Sequence, residues 1–68
     1  MQERDPVLRD ILRIRNMVRD IAEAASITPG AVSQWAQVPP QHVLVVERVT
    51  GVSRTRLRPD LYPAEDGQ

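Results

Sequence analysis

Two helices that meet across a turn of three or four residues make a separate demand at each position of that turn. Residues 21–35 of this chain meet those demands in order. The first helix needs a small residue where the second crosses it steeply, and Ala22 follows Ile21 there. The turn needs a residue that tolerates positive φ, a place glycine usually fills, and here it is Ser26. A buried aliphatic must come next, and it is Ile27. Thr28-Pro29 then starts a new helix. A threonine side chain accepts from the free N–H groups, and proline suits the first helical position because its missing donor has no partner there anyway. Val32 and Trp35, three apart, give that helix an inward edge.

The same cap-plus-proline start occurs at Asp5-Pro6, followed by Val7, Leu8, Ile11, Leu12 and Ile14 as one apolar stripe. Asn16, tolerant of left-handed backbone, is expected to end that helix. The spacing predicts a second helix over 17–25 with Met17, Ile21, Ala24 and Ala25 inward, and a third running to about residue 36. Gln37-Val38-Pro39-Pro40 reads as a linker whose second proline opens a fourth helix. Val43-Leu44-Val45-Val46 has the β-branched content of a strand. The length of the segment over 40–50, Val49 at helical spacing and Gly51 as a stop decide for helix. Ser53 is placed to cap a short fifth helix ending before Pro59, with Leu61 and Tyr62 folding back on the bundle. The fold class is therefore all-α: a four- to five-helix bundle with a helix-turn-helix, one domain over 1–63, and an acidic tail over 64–68.

With 68 residues, a chain leaves its core thin, since domains of this size bury only about 60% of their unfolded surface. The absence of cysteine removes disulfides and thiolate metal sites, and His42 alone assembles no zinc site. Dimerisation is the remaining common way to add core. Val45, Leu57, Leu61 and Tyr62, part of an apolar surplus on helix four and the C-terminal segment, are the candidate homodimer interface. No apolar stretch approaches a membrane span and the start of the chain is mixed in charge, so no signal peptide or membrane role is expected and the cytoplasm is the expected compartment. No acid–base dyad, activated nucleophile or glycine-rich phosphate loop is present, so neither an enzyme, a cofactor nor a small-molecule ligand is expected.

Net charge is zero, which by itself argues against a nucleic-acid partner. Its distribution argues the other way: residues 6–60 hold eight arginines against five acids, or +3, with the balancing acids at the ends. That every basic residue is arginine fits either coding bias or bidentate phosphate and guanine contact. The outward face of the third helix is more specific. Thr28, Pro29, Gly30, Ser33, Gln34 and Gln37 carry no charge, whereas a solvated helix face is usually rich in Glu, Lys and Arg. Small residues let a helix sink into the major groove, and Ser, Thr and Gln bond base edges. An ordinary polar face of a bundle is the other reading.

Residues 21–35, then Val38-Pro39, then Val43-Leu44-Val45-Val46-Glu47-Arg48-Val49-Thr50-Gly51, then Leu57-Arg58-Pro59-Asp60-Leu61-Tyr62-Pro63, resemble the Cro/YdaS-like small regulators of phages and bacterial prophages. The similarity covers most of residues 17–63, and the Leu-Arg-Pro-Asp-Leu-Tyr-Pro ending makes it specific. The resemblance implies a lambda-repressor-like fold, recognition through the helix starting near Pro29, and operator binding, commonly as a homodimer. It puts Thr28, Gly30, Ser33 and Gln34 where such proteins approach bases, and the neighbourhood of Gln37 and His42 near phosphates. Two positions depart from the pattern. Ser26 replaces the usual turn glycine, and Val18 stands where a phosphate-bonding Gln is frequent, leaving Arg19 as the substitute.

The candidate base-reading set is thus Thr28, Pro29, Gly30, Ser33 and Gln34, and the candidate phosphate set Arg19, Gln37 and His42. Trp35 is expected in the core, His42 either at a phosphate or in solvent. Arg58 is expected to pair locally with Asp60. Double-stranded DNA is the expected partner; a protein-interaction module or antitoxin-like partner that keeps the helix-turn-helix as scaffold is the alternative.

Overall fold

The computed structural model describes residues 4–63. Five α-helices follow in order: α1 (Pro6–Leu12), α2 (Met17–Ala25), α3 (Pro29–Ser33), α4 (Val43–Thr50) and α5 (Arg54–Leu57). A 3-10 turn, Pro40–His42, leads into α4. No strand occurs among the described residues, so the valine-rich run is helical as expected. The acidic tail expected over 64–68 lies outside the described residues.

The helix starts follow local chemistry. The Asp5 carboxylate accepts from the Leu8 N–H at 3.1 Å, Thr28 Oγ1 from the Ala31 N–H at 3.1 Å, and Ser53 Oγ from the Thr55 N–H at 3.1 Å. Each cap satisfies one orphan donor of a helix start, an interaction worth about 1 kcal/mol. The stop at Gly51 is local too: its φ is 77°, a left-handed conformation that costs glycine nothing.

α2 is the centre of the molecule, packed against α1, α3 and α4, while α5 closes against α1 and α4. The core joins Leu8 and Ile11 of α1, Ile21 and Ala22 of α2, and Val32 of α3. Val38 of the linker, Val43 and Val46 of α4 and Leu57 of α5 complete it. Each buried aliphatic contributes about 1.5–3 kcal/mol relative to exposure.

Several expectations are corrected. α1 stops at Leu12, because the Arg13 and Ile14 N–H groups bond the Asp10 and Ile11 carbonyls three residues back. That tightened turn advances each residue further round the axis and swings Ile14 out of the apolar stripe, leaving it 52% exposed. Asn16 is left-handed (φ 66°) as expected, but it introduces α2 directly instead of closing α1. Ala24 of α2 is exposed, not inward. α3 ends at Ser33, short of residue 36. Leu57, a candidate for the dimer interface, is buried in the monomer core at 2% exposure, because it is the buried side chain through which the short α5 packs against α1 and α4.

Ser26 occupies the left-handed turn position, with φ 60° and ψ 42°. The turn closes through the Ile27 N–H to the Ala22 carbonyl at 2.9 Å. A Cβ at positive φ crowds the carbonyl, at a cost of roughly 1–2 kcal/mol, partly offset by the greater freedom of an unfolded glycine. Ser26→Gly is therefore expected to raise stability by up to about 1 kcal/mol. Urea titration measures it; a lower midpoint in the variant refutes the strain.

Candidate nucleic-acid interface

α3 is five residues long and buries one of them, Val32. Thr28, Pro29, Gly30, Ala31, Ser33 and Gln34 are all exposed. The helix is thus a small, uncharged ridge anchored on α2 by one valine and by Ile27 and Trp35, which pack partly buried against the core. The five candidate base-reading residues share this ridge and its two ends. Thr28 has a second duty, since its oxygen already accepts from Ala31; its hydroxyl proton remains a donor for an outside acceptor. Gln34 follows the last helical residue and keeps both ends of its amide available for paired bonding.

The C-terminal end of α3 is set by a residue far away in sequence. Arg4 Nε donates to the Trp35 carbonyl at 3.0 Å, and an Nη of the same guanidinium donates to the Ser33 carbonyl. The Asp5 N–H adds a bond to the Ala36 carbonyl at 2.8 Å. A cation on the last carbonyls satisfies acceptors the helix cannot and complements the negative end of its dipole. The Gln34 and Trp35 N–H groups turn to the Ala31 and Val32 carbonyls three residues back, and Arg4 satisfies the carbonyls left over where α3 ends. Arg4 is absent from the residues singled out in the sequence, where its only signal is a charge beside the cap at Asp5; nothing local ties it to Ser33.

Trp35 is half-buried and its indole stacks on His42, ring centroids 5.7 Å apart and planes 22° apart. His42 is consequently held against the end of α3 in a defined orientation, partly shielded from solvent. Gln37 is exposed in the linker, and Arg19 is exposed in the first turn of α2. Neither of these lines the open pocket at the end of α3, which is formed by Arg4, Arg9, Gln34, Trp35 and Ala36.

The linker is fixed from the other side by Arg58. This residue is 7% exposed, and its guanidinium donates to the Val38 carbonyl at 2.7 Å and to both Asp60 carboxylate oxygens at 3.0 and 2.7 Å. The expected Arg58–Asp60 pair is therefore present, and it also holds the segment that leaves α3. Hydrogen bonding from Arg58 keeps the Asp60 carboxyl below its ordinary pKa, and Asp60 in turn raises that of Arg58.

Of the remaining dimer candidates, Leu61 is 43% exposed, while Val45 and Tyr62 are half-buried, with Tyr62 packed on the core. Arg54 lies over the Tyr62 ring at 5.6 Å, a cation–π contact. No helix among the described residues is long and apolar enough to cross a membrane.

A five-residue helix offered almost bare of bulk, with one arginine fixing its end and another fixing the linker behind it, defines a small helix-turn-helix domain. Residues 18–65 match the family described as bacterial toxin YdaS, and the chain belongs to that family. No curated protein and no solved structure matches it.

Proposed function

We propose that this protein is a sequence-specific DNA-binding regulator that lays α3 in the major groove, with repression by promoter occupancy as the consequence. The observation that carries this reading is Gly30. A glycine in the middle of a helix costs roughly 0.5–1 kcal/mol relative to alanine, and Gly30, the second residue of α3, carries part of that cost. Nothing among the described residues accounts for that cost: Gly30 does not have positive φ, and a Cβ at this position would meet only Thr28 Oγ1 among them, at 4.0 Å. A surface that must approach the backbone closely from outside accounts for it. The neighbouring hydroxyls and the Gln34 amide are suited to base edges, which present paired donors and acceptors in the major groove.

Arg19, Gln37 and His42 serve the phosphates in this reading, and the remaining specificity comes from a second copy. One such helix spans too few base pairs to single out a site in a genome. Two copies about 34 Å apart fit a palindromic operator, and Leu61, the most exposed of the four candidate interface residues, is where that homodimer is expected to rest. The family's description as a toxin is compatible: a protein that occupies promoters harms a cell that overproduces it.

Gln34→Ala tests the reading. It is expected to cost about 1–3 kcal/mol on the preferred site and to relax preference at one base-pair position. Site selection from a random duplex pool, run in parallel on both proteins, measures both effects. Equal losses on selected and random duplex remove Gln34 from base readout. If the wild-type protein binds no duplex at any salt concentration, the protein-interaction reading replaces this one.

A further inference from the structure

We propose that the open pocket between α1 and the end of α3 receives a phosphodiester of the bound duplex, with Arg9 as its principal ligand. The inference rests on the DNA-binding reading and adds to it a site that the linear sequence did not suggest. Two arginines, Arg4 and Arg9, line the pocket together with Gln34, Trp35 and Ala36, and no carboxylate lines it among the described residues. Arg4 is fastened by the carbonyls of Ser33 and Trp35. Neutral carbonyls orient a guanidinium without cancelling its charge, and a guanidinium has five donors, so others remain for an anion. Among the described residues Arg9 has one ion-pair partner, Asp10, at 3.8 Å, with both side chains more than half exposed; such a contact is worth little and yields readily to a better partner.

Position selects the anion. Gln34 lines this pocket and also belongs to the face that meets base edges. The major groove is about 12 Å wide and bordered by the two phosphate chains. A cationic pocket touching the end of a helix in that groove therefore faces the groove's rim. A guanidinium there binds phosphate oxygens in paired geometry, fixing how deep and at what angle α3 sits while carrying no sequence information itself.

The test compares the wild-type protein with Arg9→Gln and Arg9→Lys, using a labelled duplex of random sequence over a range of salt concentrations. Arg9→Gln is expected to weaken binding and lower the slope of log affinity against log salt by about one unit, the signature of one lost phosphate contact. Arg9→Lys keeps the charge and is expected to restore the slope. Thermal unfolding of all three is expected to coincide, because Arg9 is exposed. A second readout uses Trp35, the protein's single tryptophan: its fluorescence is expected to respond to duplex in the wild type and less in Arg9→Gln.

Three results overturn the proposal. A slope and affinity unchanged in Arg9→Gln leave the pocket without a phosphate. A Trp35 response to polyglutamate but not to duplex makes it a site for an acidic protein. Failure of the wild type to bind duplex removes the DNA reading itself, and that failure is told apart because it appears before any Arg9 variant is made.

Discussion

Gly30→Leu is expected to leave the domain folded and to abolish specific DNA binding. The space beside Gly30 is open, with only Thr28 Oγ1 at 4.0 Å from where a Cβ would stand, and the position lies within α3. Leucine is moreover a far better helix former than glycine, so thermal stability is expected to hold or rise. With α3 in the major groove as proposed, the same side chain stands on the ridge facing the groove and is expected to keep the whole of α3 away from the bases. Affinity for the selected operator is then expected to fall to the level of random duplex, a loss on the order of 10³-fold or more, while the salt-dependent, sequence-independent component survives in weakened form. Gly30→Ala is the milder counterpart, predicted to be at least as stable as wild type and intermediate in affinity. Titration of both variants on selected and random duplex, with circular dichroism to confirm folding, decides the matter. Wild-type affinity in Gly30→Leu would falsify the groove-facing assignment of α3.

Arg58→Ala is expected to produce the largest loss of stability of any charged-residue substitution in the domain, about 2–4 kcal/mol. Most of this comes from the Val38 carbonyl, which loses its 2.7 Å partner inside the protein, and from the packing of a nearly covered side chain. The Asp60 end contributes less, since that carboxylate is 60% exposed and water replaces its partner. Small domains hold only roughly 5–15 kcal/mol in total, so the variant is expected to be substantially unfolded on warming and to bind duplex weakly for that reason. The measurement is the urea midpoint of Arg58→Ala beside Asp60→Asn. An equal, small shift in both variants places the whole effect in the exposed pair and refutes the role of Val38.

The same pair gives the protein an acid-sensitive component. Because Arg58 holds the Asp60 carboxyl below its ordinary pKa in the fold, its contribution is complete above the ordinary carboxylate range and declines as pH falls through the lowered value. Asp60→Asn is expected to flatten that part of the acid limb in the same urea titrations.

Much of the local structure of the proposed interface was legible from sequence because its determinants are local. Thr28-Pro29 had to start a helix, Ser26 had to turn left-handed, and Val32 had to point inward, since each depends on neighbours within a few residues. The uncharged face of α3 followed from the position of that single valine. The family resemblance was legible for a related reason: its motifs lie on the turn, on the start of α3 and on the Arg58-Pro59-Asp60 ending, where local geometry restricts the residues allowed.

The helix starts at Asp5, Thr28 and Ser53, the stop at Gly51 and the all-helical class were thus determined by the sequence itself, through caps and turns that depend on adjacent residues. Tertiary structure decided how the end of α3 is satisfied, because the carbonyls of Ser33 and Trp35 find their donor in Arg4, 29 and 31 residues away. It decided that Leu57 belongs to the core and not to an interface, because a four-residue helix has no stability apart from the helices it touches. And it placed Arg9 and Gln34, distant in sequence, on the lining of one pocket. Local hydrogen bonds are written in adjacent residues; partners for leftover carbonyls and charges exist only after the chain has closed on itself.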